Sequence, residues 1–119
     1  MSEKPHRKLA VWQKSMDLVV MVYETTRRFP AVERYGLASQ MQRAAVSIPS
    51  NIAEGAARRS PKELLQFIYT ARGSLSELDT QLDIALRLGY VSAEREAELR
   101  RRLEELSRMM YGLITSLTD

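Results

Sequence analysis

Three sets of polar side chains in this chain of 119 residues stand at spacings that suit chemistry. Arg43, Ser47, Asn51 and Glu54 recur at steps of four, four and three, which puts them on one face of a helix. Ser74, Glu77 and Gln81 do something comparable further along. If the two faces meet, Arg43 and Glu77 form a partly buried ion pair, and the serines, Asn51 and Gln81 satisfy one another, because a buried polar group without a partner is costly. Read as chemistry, the same residues make a small-ligand or catalytic pocket with Glu54 and Glu77 as its acids, although a glutamate pair with no histidine beside it is a weak signal for acid–base catalysis. The third set is basic and comprises Lys4, Arg7, Lys8, Arg58, Arg59 and Lys62. Brought together, these cations would meet the phosphates of RNA or DNA; otherwise they form a solvated, solubilising end.

Composition removes most other chemistry. The absence of cysteine excludes disulfides, thiolate metal sites and cysteine nucleophiles, and fits a reducing compartment. The single histidine, His6, lies ahead of the helices, so the Glu-x-x-His pairs of a di-iron bundle and a helical Arg-to-His nuclease spacing are both missing. Five scattered glycines form no phosphate loop or dinucleotide fingerprint. The expectation is therefore no cofactor, no metal and no enzymatic activity. The longest apolar run, Leu18 to Val22, is far short of the ~18 residues of a membrane span, and the first residues lack a signal-peptide core; a cytoplasmic protein away from membranes is expected. The net charge of +3 is uneven: residues 1–62 carry 11 basic and 5 acidic groups, residues 63–119 carry 7 and 10, so the halves are +6 and −3. Arg100, Arg101 and Arg102 sit among five nearby glutamates and read as an exposed, salt-bridged surface.

Helices must hold these groups in place. The clearest stripe runs through Leu64, Ile68, Ala71, Leu75, Leu78, Leu82 and Ala85, in steps of three and four. It starts at a capping box, Ser60-Pro61-Lys62-Glu63, and stops at Gly89. A final stripe, Leu99, Leu103, Leu106, Met110, Leu113 and Leu117, follows an N-cap at Ser92. In the first helix Leu9, Trp12, Met16, Val19, Val20 and Tyr23 are expected to face inward up to Phe29-Pro30, while Leu18, Met21 and Val22 widen the apolar band toward a neighbouring subunit. Another helix runs from Leu37 to Glu54 with Met41, Ala44, Ala45, Ile48 and Ile52 inward, a bend expected at Pro49 and a stop at Gly55. Four such helices with short connections and no strand signal make one all-α domain over 1–119, an antiparallel up-down-up-down four-helix bundle. That topology brings the basic set to one end. It also turns Gly73 outward with Tyr69, Ser76 and Thr80, and since glycine costs about 1 kcal/mol in a helix relative to alanine, close approach of a second subunit there is expected. The expected oligomer interface is thus Leu18, Met21, Val22, Tyr69, Gly73, Ser76 and Thr80.

The segment Glu33-Arg34-Tyr35-Gly36-Leu37, then Gln40, Arg43, Ala44, the run Ser47 to Gly55, Gly73-Ser74, Glu77 and Gln81-Leu82 resembles the four-helix-bundle family named for 23S rRNA intervening-sequence proteins, as does the opening Leu9-Ala10-Val11-Trp12-Gln13. The resemblance covers nearly the whole chain. It implies a small helical bundle that assembles as a homo-oligomer, a pentamer, and that is often encoded within large-subunit rRNA genes. Kinship is also implied with the accessory subunit of diversity-generating retroelements, a basic pentamer that binds nucleic acid and a reverse transcriptase. The expected function is a non-enzymatic, homo-oligomeric accessory or scaffold protein that binds RNA or DNA through its basic end. The alternative is a scaffold that binds another protein and leaves nucleic acid alone.

Overall fold

The apolar stripes predict helices, and helices make up nearly all of the chain. A computed structural model describes residues 4–118. A short 3-10 turn, Pro5–Lys8, leads into α1 (Ala10–Thr26); a second, Ala31–Glu33, leads into α2 (Leu37–Ala56), followed by α3 (Pro61–Arg87) and α4 (Ala93–Thr118). The ends are built from side chains as the spacing anticipates. Ser60 Oγ accepts the Glu63 amide at 3.2 Å and donates to Glu63 Oε1 at 3.3 Å, while Ser92 Oγ accepts the Arg95 amide at 3.1 Å. At the far end of α3, Gly89 adopts φ +77°, and the Tyr90 and Gly89 amides return to the carbonyls of Ala85 and Leu86 at 2.9 and 3.0 Å, a Schellman closure.

One expectation for α2 is corrected. The helix contains the buried Pro49, and Gly55 lies within it rather than ending it. A Cβ on Gly55 would stand 2.8 Å from Phe67 Cβ and 2.9 Å from Leu64 Cδ1, so the missing side chain is what lets the end of α2 close on the start of α3.

Cross-helix pairs give the topology. Thr26 meets Gln42, Ser47 meets Ser74, Arg100 meets Asp79 and Asp83, and Lys14 meets Glu105, so each sequential pair, and the closing pair α1–α4, packs side by side. Helices in diagonal positions, α1 with α3 and α2 with α4, bring no Cα atoms within 8 Å of one another among the described residues. The all-α four-helix bundle expected from sequence follows.

The core is Leu18 and Val22 of α1, Met41, Ile48 and Ile52 of α2, Ile68, Leu78 and Leu82 of α3, and Leu99, Leu106 and Met110 of α4. This overturns the assignment of Leu18 and Val22 to a subunit interface: both have no exposed surface. It equally overturns the inward reading of Met16, Val20 and Tyr23, which are exposed on the opposite side. The inward stripe of α1 is Val11, Ser15, Leu18, Val22, Thr25 and Thr26. Its hydroxyls can enter the interior because each is satisfied by its own helix: Ser15 by the Trp12 carbonyl, Thr25 by Met21 and Thr26 by Val22, at 2.7, 2.7 and 2.9 Å.

Candidate functional site

The α2–α3 seam brings part of the expected polar network together. Asn51 Nδ2 donates to the Ser47 carbonyl at 2.8 Å and to Ser47 Oγ at 3.1 Å. Ser47 Oγ lies 2.7 Å from Ser74 Oγ, which in turn reaches the Thr70 carbonyl at 3.4 Å. Directions follow from the chain's ends. Because Asn51 gives a proton to Ser47 and a carbonyl can only accept, the hydrogens run from Asn51 through Ser47 and Ser74 to Thr70. The relay ends on a backbone oxygen, so it has no acid or base to deliver a proton to. It fastens two helices.

The remaining members of that set are not joined to it. Arg43 and Glu77 are both exposed and form no ion pair, and Glu54 is exposed as well. Gln81 is buried, but its Nε2 turns to Glu77 Oε2 on its own helix at 3.3 Å and its Oε1 has no partner. Asn51 and Gln81 therefore do not satisfy one another. Arg43 lines an open recess of about 450 Å³ with Tyr23, Gln42, Val46 and Ser47, too open to exclude water. No group of three or more His, Asp or Glu side chains able to hold a metal occurs among the described residues.

The basic set lies on the first 3-10 turn and around the α2–α3 connection. The turn Pro5–Lys8 packs on α1 and α2, while Arg58 and Arg59 follow α2 and Lys62 stands in the first turn of α3. All six cations are exposed, and among the described residues no carboxylate stands within 4.0 Å of any of them. Two also cover aromatic rings: Arg7 lies 5.6 Å from the centre of Trp12 and Arg58 lies 5.0 Å from that of Phe67.

In the run Arg100 to Arg102, expected to be salt-bridged, only Arg100 has carboxylates within 4.0 Å among the described residues. Arg100 reaches Asp79 at 2.5 Å, Asp83 at 2.6 Å and Glu96 at 2.8 Å. Burial disfavours its charge, but the hydrogen bonds to Glu96 and Asp83 and the field of Asp79 prevail and raise its pKa. The intrahelical Glu96 contact was legible from a spacing of four, whereas the two α3 aspartates were missed because only the folded hairpin brings them near. A second missed cluster links two loops: Tyr90 donates to Glu33 Oε2 at 2.8 Å, Glu33 Oε1 accepts the Leu37 amide at 3.1 Å, and the Tyr90 ring lies 5.3 Å from that of Phe29.

Of the expected interface, Tyr69, Gly73, Ser76 and Thr80 do lie on the outer face of α3, and nothing comes within 4 Å of where a Gly73 Cβ would stand. Met21 is half-buried beside a recess between α1 and α4. No helix is long and apolar enough to cross a membrane among the described residues.

Comparison with known proteins gives a consistent setting. A family model described as 23S rRNA-intervening sequence protein matches residues 7–112. A crystal structure from Bacteroides thetaiotaomicron, described as a protein with unknown function from the S23 ribosomal protein family, has a TM-score of 0.82 to this chain, covering 88% of it and 95% of its own length at 19% identity. That likeness establishes a shared fold. No functionally curated protein matches the chain.

Proposed function

Because the chain belongs to the 23S rRNA-intervening sequence protein family, we propose that it is a non-enzymatic, homo-oligomeric accessory or scaffold protein that holds RNA or DNA by its phosphates. The observation that carries this reading is the contrast between the two kinds of cation. Arg100 is enclosed by three carboxylates, whereas Lys4, Arg7, Lys8, Arg58, Arg59 and Lys62, which the expected up-down-up-down topology brings to one end, are exposed and have no carboxylate within 4.0 Å among the described residues. Unneutralised cations at one end create a positive field there, and phosphate binding releases the counterions around a nucleic acid. The dispersal of Glu54 and Glu77 to open, separate surfaces supports a role without catalysis.

Assembly, as a pentamer by analogy with the family, is supported by apolar surface on α1. Met16, Val20 and Tyr23 follow one another up its outer side, and the open Gly73 face of α3 offers a second place for close approach. The cytoplasmic setting expected from a cysteine-free chain is part of the same proposal.

The test is RNA and DNA binding measured over a range of salt. The wild-type chain should bind with an affinity that falls steeply as salt rises, and Arg58→Ala/Arg59→Ala/Lys62→Ala should bind more weakly with a log–log salt slope smaller by up to about 3. Absent or salt-independent binding by an intact oligomer would remove the nucleic-acid role and leave the protein-scaffold alternative.

A further inference from the structure

The end of the bundle opposite the basic cluster carries a different surface. Between α1 and α2 the chain turns a corner at Phe29–Gly36, and that corner is rigid. Backbone bonds from Glu33 to Pro30, Arg34 to Ala31 and Gly36 to Glu33, at 2.9, 3.1 and 3.0 Å, fold it into successive turns. The Glu33 carboxylate then ties it both to α2 and to Tyr90. Yet on this braced corner two apolar side chains point into water: Val32 is 83% exposed and Tyr35 is 90% exposed. An aromatic ring presented to solvent by a hydrogen-bonded turn suits a flat partner, since binding there orders little of the backbone.

The charge around it selects the partner. From Arg27 to Gly36 the sequence has three arginines and one acid, Glu33, whose two oxygens are already engaged. Arg27, Arg28 and Arg34 are exposed, with no carboxylate within 4.0 Å among the described residues. Arg27 and Arg34 flank an open recess of about 470 Å³ beside the Phe29-Pro30 turn. A surface combining guanidinium groups with an open aromatic face matches the alternation of phosphate and base along a single strand. A duplex keeps its bases stacked and offers such a ring little. The basic end differs in kind, because the rings of Trp12 and Phe67 there lie under arginines rather than open to solvent.

We propose that the α1–α2 corner is a second nucleic-acid contact, specific for unpaired nucleotides, in which Tyr35 stacks on a base while Arg27 and Arg34 take the flanking phosphates. The proposal rests on the reading of the protein as one that binds nucleic acid, and adds to it which strand form is bound at which end.

The experiment measures binding of the full-length protein to fluorescein-labelled oligo(dT) and to a blunt duplex of equal length by anisotropy. Tyr35→Ala should weaken oligo(dT) binding roughly tenfold, as expected for losing one stacked base, while Tyr35→Trp retains it. Arg27→Gln/Arg34→Gln should also weaken oligo(dT) binding, and duplex binding should be unaffected by any of the three. Because Tyr35 touches little of the fold, circular dichroism of Tyr35→Ala should match the wild type. Oligo(dT) binding unchanged in Tyr35→Ala overturns the inference; if duplex binding then still depends on Arg58, Arg59 and Lys62, the general reading stands alone. Wild-type protein that binds neither probe ends both. Loss of a co-purifying protein from Tyr35→Ala, with oligo(dT) binding intact, would reassign the corner to protein docking and also overturn the inference.

Discussion

Glu33 shows how one side chain governs two loops. Its carboxylate takes the Leu37 amide, the larger influence, and the Tyr90 hydroxyl; both hold its pKa below the ordinary glutamate value, against a smaller opposing effect of burial. The same bond raises the Tyr90 pKa, helped by burial and by the glutamate's charge. A lowered folded pKa means the unfolded chain binds the proton more readily, so this contribution is complete above the ordinary glutamate range and disappears as pH falls through the folded value. Glu33→Gln should therefore be less stable near neutrality and lose less stability on acidification than the wild type. Urea midpoints recorded from neutral to acid pH check this, and parallel curves for the two proteins would refute it. None of this linkage was visible in the sequence, because Glu33 and Tyr90 are 57 positions apart and belong to loops rather than to a periodic face. Ser47 and Ser74 were legible, since helical spacing assigns a face and short side chains on facing positions can only reach across. Arg43 and Glu77 occupied the same faces, but at the rim their longer side chains extend to water, which solvates a charge without the cost of ordering a pair.

At the scale of elements, α3 and α4 were readable because each has a single apolar stripe bounded by a capping serine. Helix α1 has two. Met16, Val20 and Tyr23 continue the more apolar stripe that begins at the partly buried Trp12, whereas the one that packs inward includes Ser15, Thr25 and Thr26. Hydrophobicity alone selects the wrong stripe; backbone-bonded hydroxyls remove the penalty that would have kept the other outside. The two faces are separable by mutation. Leu18→Ala, at a site with no exposure, should cost about 2–5 kcal/mol of unfolding free energy. Val20→Ser, at a site 58% exposed, should change it by less than about 0.5 kcal/mol while shifting the native mass toward the single protomer. Chemical unfolding and native mass measurement distinguish these outcomes, and equal destabilisation by both would return Val20 to the interior. Gly55 and Gly73 complete the comparison: both are helical, yet a side chain at the first would meet Phe67 and Leu64, and at the second would meet nothing in the protomer.

Across the whole molecule, the uneven charge seen in the sequence acquires direction. The longest dimension of the body is 43 Å, and the acidic half supplies the α3–α4 side, where Arg100 is enclosed. The fold class was legible because four amphipathic segments with short turns admit few arrangements. Which exposed groups receive a partner was not, because that depends on molecules the sequence does not contain. The square of helices is also unevenly fastened: α2 and α3 share the most extensive contact, and α1 and α4 the least. Every other helix–helix contact joins neighbours along the chain, so the α1–α4 seam alone must be closed across the full length of the bundle, with the greatest loop entropy to overcome. In native-state hydrogen exchange, α4 amides should consequently lose protection first and the α2–α3 hairpin last, with uniform protection across the four helices refuting that order. The bundle is thus a clasp with a fixed back and an openable front, able to yield along one edge while the hairpin that carries the serine relay stays shut.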